Sequence, residues 1–285
     1  MQSNVWLVTG ATGGVGQALA RFLALRGASL ILTARSLESL KALAEQLRKL
    51  GAPEVATLVV DAEHLSQTER LAQEVKDELA RRGKPLSGVV HAGGIFAWKP
   101  SLTEDGFDRA LQINALFPAL LNLNLQEELK NAKILLVAGA WVTLKGVREP
   151  AAAVREALRQ GKPLGTFAGA GLAAWLKMLH AAQLAQAGFQ AWTFHPGFLR
   201  THLTKTAPWP IRFLGACANW FLSSRSRTGE YLIQTEAPPP SGSLVEGQRA
   251  VWQKAWDREL SQQMGANRLE VPAPGHYHRL AESFL

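Results

Sequence analysis

Residues 5–16 read VWLVTGATGGVG, an apolar run that passes directly into a glycine-rich turn. The run has the length and β-branched content of a buried strand, and the apolar positions that follow from about Val15 recur at helical spacing. Strand, glycine turn and helix in that order put free backbone amides at the positive end of a helix, where absent side chains let a pyrophosphate come close. Thr9, Gly10, Thr12, Gly13, Gly14, Val15 and Gly16 are therefore read as a phosphate cradle. A glycine-rich turn alone is a weak signal, so the reading depends on what surrounds it.

The surroundings support it. SLILTA (29–34), EVATLVV (54–60), GVVHA (88–92), ILLVA (134–138) and FQAWTFH (189–195) are short apolar runs, separated by helical patterns that start near Leu37 and Gln67. Buried strands alternating with amphipathic helices are the pattern of an α/β, Rossmann-type, doubly wound parallel sheet with helices on both faces. Ser66 with Glu69 and Ser101 with Glu104 have capping-box spacing and predict two helix starts. The second strand ends in Ala34-Arg35, about 20 residues past the turn, where a bound dinucleotide's ribose is read. Ala34 offers no carboxylate to a 2′-hydroxyl, while Arg35 offers a fork to a 2′-phosphate, which favours NADP(H) over NAD; the alternative is a surface arginine.

Composition narrows the remaining classes. A chain of 285 residues, 47% hydrophobic, can bury one sizeable core, so one domain over 1–265 with a tail at 266–285 is expected. A single cysteine, Cys217, excludes an internal disulfide and a cysteine-clustered zinc site, and MQSNVWLVTG has no basic stretch of a signal peptide, so a reducing, cytoplasmic setting is expected. The net charge of +8 is scattered over helix faces, which points to a solvated surface and not to nucleic acid. Residues 199–228, rich in Trp and Phe and broken by Pro208 and Pro210, read as a lid over an apolar or aromatic small-molecule substrate. A packed apolar helical pair and interfacial docking to a membrane are the second and third readings. APPPSGS (237–243) reads as a loop before a helix with Trp252, Trp256 and Leu260 on one face.

Thr9, Gly10, Gly14 and Gly16 meet the spacing T-G-x-x-x-G-x-G; HAGG (91–94), LTEDGFDRALQINALFPALLNL (102–123) and HPGFLRT (195–201) follow in order. On these segments the chain resembles the short-chain dehydrogenase/reductase superfamily over nearly its whole length, and most nearly its retinol dehydrogenase and protochlorophyllide reductase branch. The resemblance implies an NADP(H) cofactor. It puts Asp61, followed by Ala62, where an aspartate holds the adenine, and Ala92, Gly93 and Gly94 in the Asn-Ala-Gly segment, from which His91 departs. It makes Asn114 the catalytic asparagine that organises a water and a lysine, and it places Pro196, Gly197 and Thr201 along the nicotinamide. For assembly it implies a homodimer or tetramer built through helices that include the one after residue 165, or, on the retinol dehydrogenase-like branch, a monomeric or membrane-associated protein.

The same resemblance exposes a gap. Family members protonate the alkoxide left by hydride transfer with an aligned Ser, Tyr and Lys. Here the serine's place falls on Gly139 or Ala140, the tyrosine's on Thr166 or Phe167, and the lysine's on Ala170 or Gly171. The only tyrosines are Tyr231 and Tyr277, and Lys177 lies nearly two turns beyond the expected position. Loss of a positioned acid alone removes about 10²- to 10⁴-fold in rate. His91 and Thr166 are the candidate substitutes. His91 is otherwise a buried imidazole bonded to backbone across the strands, and Thr166, with its weakly acidic hydroxyl, donates one hydrogen bond. His180, His195 and His202 read as structural or exposed, Cys217 as a packed thiol, and Trp98, Trp141 and Trp209 as an aromatic pocket or as core. Three functions follow in order: a non-standard reduction, isomerisation or elimination; a non-catalytic NADP(H)-binding protein; and ordinary carbonyl reduction.

Overall fold

The computed structural model describes residues 4–138, 159–196 and 225–236, together with Ala152, Glu156, Trp209 and parts of 238–250. Its spine is a sheet in the order β3-β2-β1-β4-β5-β6-β7-β8. The strands are β1 Val5–Thr9, β2 Ser29–Ala34, β3 Val55–Val59, β4 Leu86–His91, β5 Lys133–Val137, β6 Gln190–Phe194, β7 Leu244–Glu246 and β8 Arg249–Ala250. Every neighbouring pair is parallel except β7 with β8. All residues of β1 and β2 are buried, as expected of strands covered on both faces.

Two apolar cores sit on the two faces. One joins α1 (Gly14–Ala24), α2 (Leu37–Lys49) and α8 (Arg227–Gln234) to side chains such as Val8, Leu30 and Phe194. The other joins α3 (Gln67–Arg82), α5 (Phe117–Asn124) and α7 (Thr166–Gln186) to Leu7, Val89 and Ile134. A short α6, Gln126–Leu129, leads into β5. Each fully buried Leu or Ile contributes about 1.5–3 kcal/mol, so sheet burial on both sides dominates the stability. Among the described residues no helix is long and apolar enough to cross a membrane.

The doubly wound sheet read from the sequence is therefore present, but several local expectations are corrected. Ser66 already has helical backbone angles (φ −58°, ψ −24°) and its side chain caps nothing. Instead, the amides of Gln67 and Thr68 bond the carbonyls of His64 and Leu65. No helix starts at Ser101: the segment is a loop closed by a bridge between Leu102 and Asp108, and Asp108 caps α4 (Arg109–Leu111) by accepting from Leu111 N at 3.0 Å. α4 then passes through a π-helical stretch, Gln112–Leu116, into α5. β7 and β8 were not anticipated. They are too short to read from pattern; register with β6 specifies β7, where Thr193 N and His195 N donate to the carbonyls of Ser243 and Val245, and β8 pairs back on β7. The end of the expected lid, Arg227 and Thr228, belongs to α8, where Gly229 lets the helix close on Leu19 and Phe194. The rest of 199–224 and the helix around Trp252 lie outside the described residues.

Two glycines with left-handed backbone separate conformational strain from crowding. At Gly83 (φ +58°) an added Cβ would meet nothing within 4 Å, whereas at Gly10 (φ +63°) it would lie 2.3 Å from Gly93 Cα. Gly83→Ala is expected to cost about 1–2 kcal/mol, and Gly10→Ala at least about 2 kcal/mol more because backbone meets backbone. Urea unfolding midpoints measure both; equal shifts would mean that the turns after β1 and β4 do not touch.

Candidate functional site

Chain order reverses on either side of β1, which neighbours both β2 and β4, so a crevice opens at the carboxyl ends of β1 and β4. The turn after β1 is pinned by Ala11 N donating to Thr33 O and Gly13 N to Gly10 O, each at 3.0 Å. A Cβ on Gly16 would fall 2.4 Å from Gly10 O, so the helix can start this close to the turn only with glycine there. α1 has Gly13 as its N-cap with no side-chain cap bond and no acid in its first turn. Its leading amides, from Gly14, Val15 and Gly16, thus present positive dipole with no side-chain competitor, and they fit a pyrophosphate. Gln17 Nε2 holds Thr12 O at 2.8 Å and fixes the turn from the side. Thr9 is buried, with its hydroxyl 3.4 Å from His91 Nδ1, so it shapes the cradle from beneath and does not line it.

At the far end of the crevice, Arg35 is largely exposed after β2. Asp61 lies beyond β3, where its carboxylate accepts from Glu63 N at 3.1 Å and its own amide bonds Gln67 Oε1 at 3.0 Å. Ala62 O accepts from Gln112 Nε2 at 3.2 Å, joining this corner to the π-helical stretch. Glu63 and Arg109, which sequence reasoning missed, complete the corner: Glu63 Oε1 is 2.5 Å from Arg109 Nη2 and 3.7 Å from Arg35 Nη1. The Glu63 hydrogen bond raises the Arg109 pKa above its ordinary value. No motif marks either residue, since 46 positions separate them.

The opposite end of the crevice is formed by the segments to which the resemblance assigns the catalytic side chains. Asn114 sits in the π-helical stretch and binds Ile95 twice, accepting from its amide at 2.8 Å and donating to its carbonyl at 2.9 Å. The side chain thereby fastens the loop after β4, and Gly94 lies against its oxygen. Ala92 N donates to Thr9 O, keeping this loop beside the cradle. Thr166 opens α7 and donates to Ala97 O at 2.9 Å, so its hydroxyl tethers helix to loop. Phe167 is exposed, and its ring stands 5.5 Å from Phe96 and 6.4 Å from Trp98. Ala170 and Gly171 continue the same helix with no polar side chain. Asp108 accepts from Leu164 N at 2.9 Å and faces Gly169, which ties the start of α7 to α4; burial raises its pKa. Pro196 O accepts from Ser226 Oγ at 3.2 Å and His195 is buried. Tyr231 packs with the α1 side of the sheet, and Trp209 is exposed. Gly139, Ala140, Trp141, Gly197, Thr201, His202, Cys217 and Tyr277 lie outside the described residues.

His91 is buried as one of its two readings expected, but its partners are side chains and not backbone. Nε2 lies 2.8 Å from Asn122 Oδ1 and Nδ1 faces Thr9; Asn122 Nδ2 in turn donates to His180 Nε2 at 3.0 Å. With Nε2 of His91 donating and Nε2 of His180 accepting, the Asn122 amide pairs with both imidazoles as neutral rings. His180 is fully enclosed and not exposed. Lys177 is buried beside them, donating to Val137 O at 2.7 Å at the end of β5. Burial lowers its pKa from 10.5 to about 8. Burial is also the main cause that moves His91 to about 4, helped by the Lys177 charge and opposed by the Asn122 bond. His180 falls to about 3 by burial and then by the proximity of His91.

These shifts have a direct consequence for acid stability. Between pH 6.5 and about 4 the unfolded chain binds protons on both histidines that the folded chain refuses, so stability falls as pH falls through that window. Each histidine contributes a slope of up to about 1.4 kcal/mol per pH unit. His180→Asn is expected to flatten the curve of unfolding free energy against pH relative to wild type; parallel curves would mean that His180 is protonated in the fold.

Residues 4–137 match the short chain dehydrogenase family profile. A Streptomyces sp. (strain C5) protein assigned as daunorubicin C-13 ketoreductase is 29% identical over 82% of this chain and 78% of its own. The polyprenol dehydrogenase of Mus musculus is 25% identical over 95% of this chain and 84% of its own. A short-chain dehydrogenase structure from Shigella flexneri 2a str. 301, complexed with NADP, superposes with a TM-score of 0.64 at 18% identity, covering 87% of this chain and 98% of that one. Strand order, glycine turn, the asparagine on its π-helical stretch and these similarities agree: the chain belongs to the short-chain dehydrogenase/reductase superfamily, whose members use a nicotinamide cofactor.

Proposed function

We propose that the protein binds NADP(H) and carries out a hydride-transfer reaction on an apolar or aromatic small molecule, in a cytoplasmic setting, without a tyrosine as proton donor. The observation that carries this reading is an uncapped α1 cradle facing a helix start where Thr166 is occupied by Ala97 O and Ala170 and Gly171 bring no polar group. The amides of α1 would hold the pyrophosphate, and the exposed guanidinium of Arg35 a 2′-phosphate. The NADP complex of the Shigella flexneri structure agrees with that choice. When bound, NADPH supplies a hydride to an electron-poor carbon, which suits quinones and activated carbon-carbon double bonds because their reduced products can take the balancing proton from water.

The protein's own contributions are positional. Asn114 fixes the loop after β4 and the Thr166 tether fixes the helix across from it. Between them Phe96, Trp98 and Phe167 form an apolar wall that would take a flat ring and exclude water. A second reading, a cofactor-binding protein that does no chemistry, is favoured by the burial of His91 and Lys177.

NADPH absorbance followed with quinones, enones, aldehydes and imines tests the choice. Turnover is expected with quinones or enones, and Thr166→Val is expected to lower kcat by less than about tenfold, against the 10²–10⁴ of a lost general acid. Absence of turnover with every class, alongside a rise in Tm on adding NADPH, would select the non-catalytic reading.

A further inference from the structure

We infer that Arg109 is a positioning residue for cofactor selectivity: by holding the carboxylate of Glu63, it keeps the guanidinium of Arg35 available to a 2′-phosphate. The inference rests on the NADP(H) reading above and adds to it a residue that no dinucleotide motif contains.

Glu63 is held at its backbone, where its amide donates to Asp61 Oδ1 at 3.1 Å, which starts its side chain from this corner. That carboxylate has two guanidiniums within reach. Arg109 binds Oε1 at 2.5 Å, while Arg35 stands 3.7 Å from the same oxygen with most of its side chain in solvent. Arg109 is itself anchored as the first residue of α4, its amide bonded to Ser101 O at 3.0 Å and its side chain two-thirds covered. The stronger, better buried contact thus takes the carboxylate, and the exposed arginine is left loosely held.

The charges explain why this matters. Arg35 and Arg109 balance Asp61 and Glu63, which the fold places around one corner. A 2′-phosphate adds about −1.5 to −2 charges. Without Arg109 the phosphate would meet one arginine beside two carboxylates, and Glu63 would turn wholly to Arg35. A ribose carrying only hydroxyls brings no such charge, so the penalty falls on NADPH and spares NADH.

Titration of tryptophan fluorescence with NADPH and with NADH reads this without any turnover. Arg109→Gln is expected to raise the Kd for NADPH about three- to tenfold, the scale of one partly screened charge contact, and to change that for NADH less than about twofold. Adding Glu63→Gln to that variant is expected to restore NADPH binding to within about twofold of wild type. Arg109→Lys, which keeps the charge and the fold's local packing, is expected to fall between wild type and Arg109→Gln. Equal weakening of both cofactors, no weakening of either, or failure of Glu63→Gln to restore binding would each overturn the role of Arg109. Wild-type protein that binds NADPH no more tightly than NADH would instead overturn the NADP(H) reading on which it rests.

Discussion

The approach of Gly10 to Gly93 is the constraint on which the crevice depends. It brings the turn after β1 against the loop after β4, where any side chain on Gly10 would collide with backbone. From that contact the rest is placed. Gly16 starts α1 directly over the turn, and Ala92 bonds Thr9. Asn114 then fastens the far side of the same loop through Ile95, and Thr166 fastens its end through Ala97. The turn after β1, the loop after β4 and the start of α7 are therefore one mechanical unit, held by a backbone approach and by side chain–backbone bonds.

Beneath that unit lies an unusual interior. Thr9, His91, Asn122 and His180 form a continuous hydrogen-bonded line, with the Lys177 ammonium on Val137 O beside it. Burying an amine and two imidazoles is costly, and the fold meets the cost by keeping the rings neutral and giving Lys177 a carbonyl partner. The consequence is that burial keeps the imidazole of His91 neutral at neutral pH.

Much of this was legible in the sequence because it is local. The glycine turn, the six main strands and the helices at Gly14, Leu37 and Gln67 follow from periodicity and spacing. What was not legible depends on long-range pairing. Ser66 and Ser101 have capping spacing, yet Ser66, just ahead of α3, makes no side-chain cap bond, and Ser101 lies in a loop closed by the Leu102–Asp108 bridge, where Asp108 is the cap of α4. β7 exists only because β6 offers an edge. His91 finds Asn122, 31 residues away, and Glu63 finds Arg109, partners that no linear pattern announces.

A crystal structure of the protein with NADP⁺ bound tests the central claim most directly. The expected result is a pyrophosphate on the first-turn amides of α1, a 2′-phosphate on Arg35, and no tyrosine hydroxyl or lysine amine in contact with the nicotinamide. A dinucleotide seated elsewhere, or the phenol of Tyr277 brought against the nicotinamide ring, would contradict the proposal that the protein binds NADP(H) and acts without the usual acid.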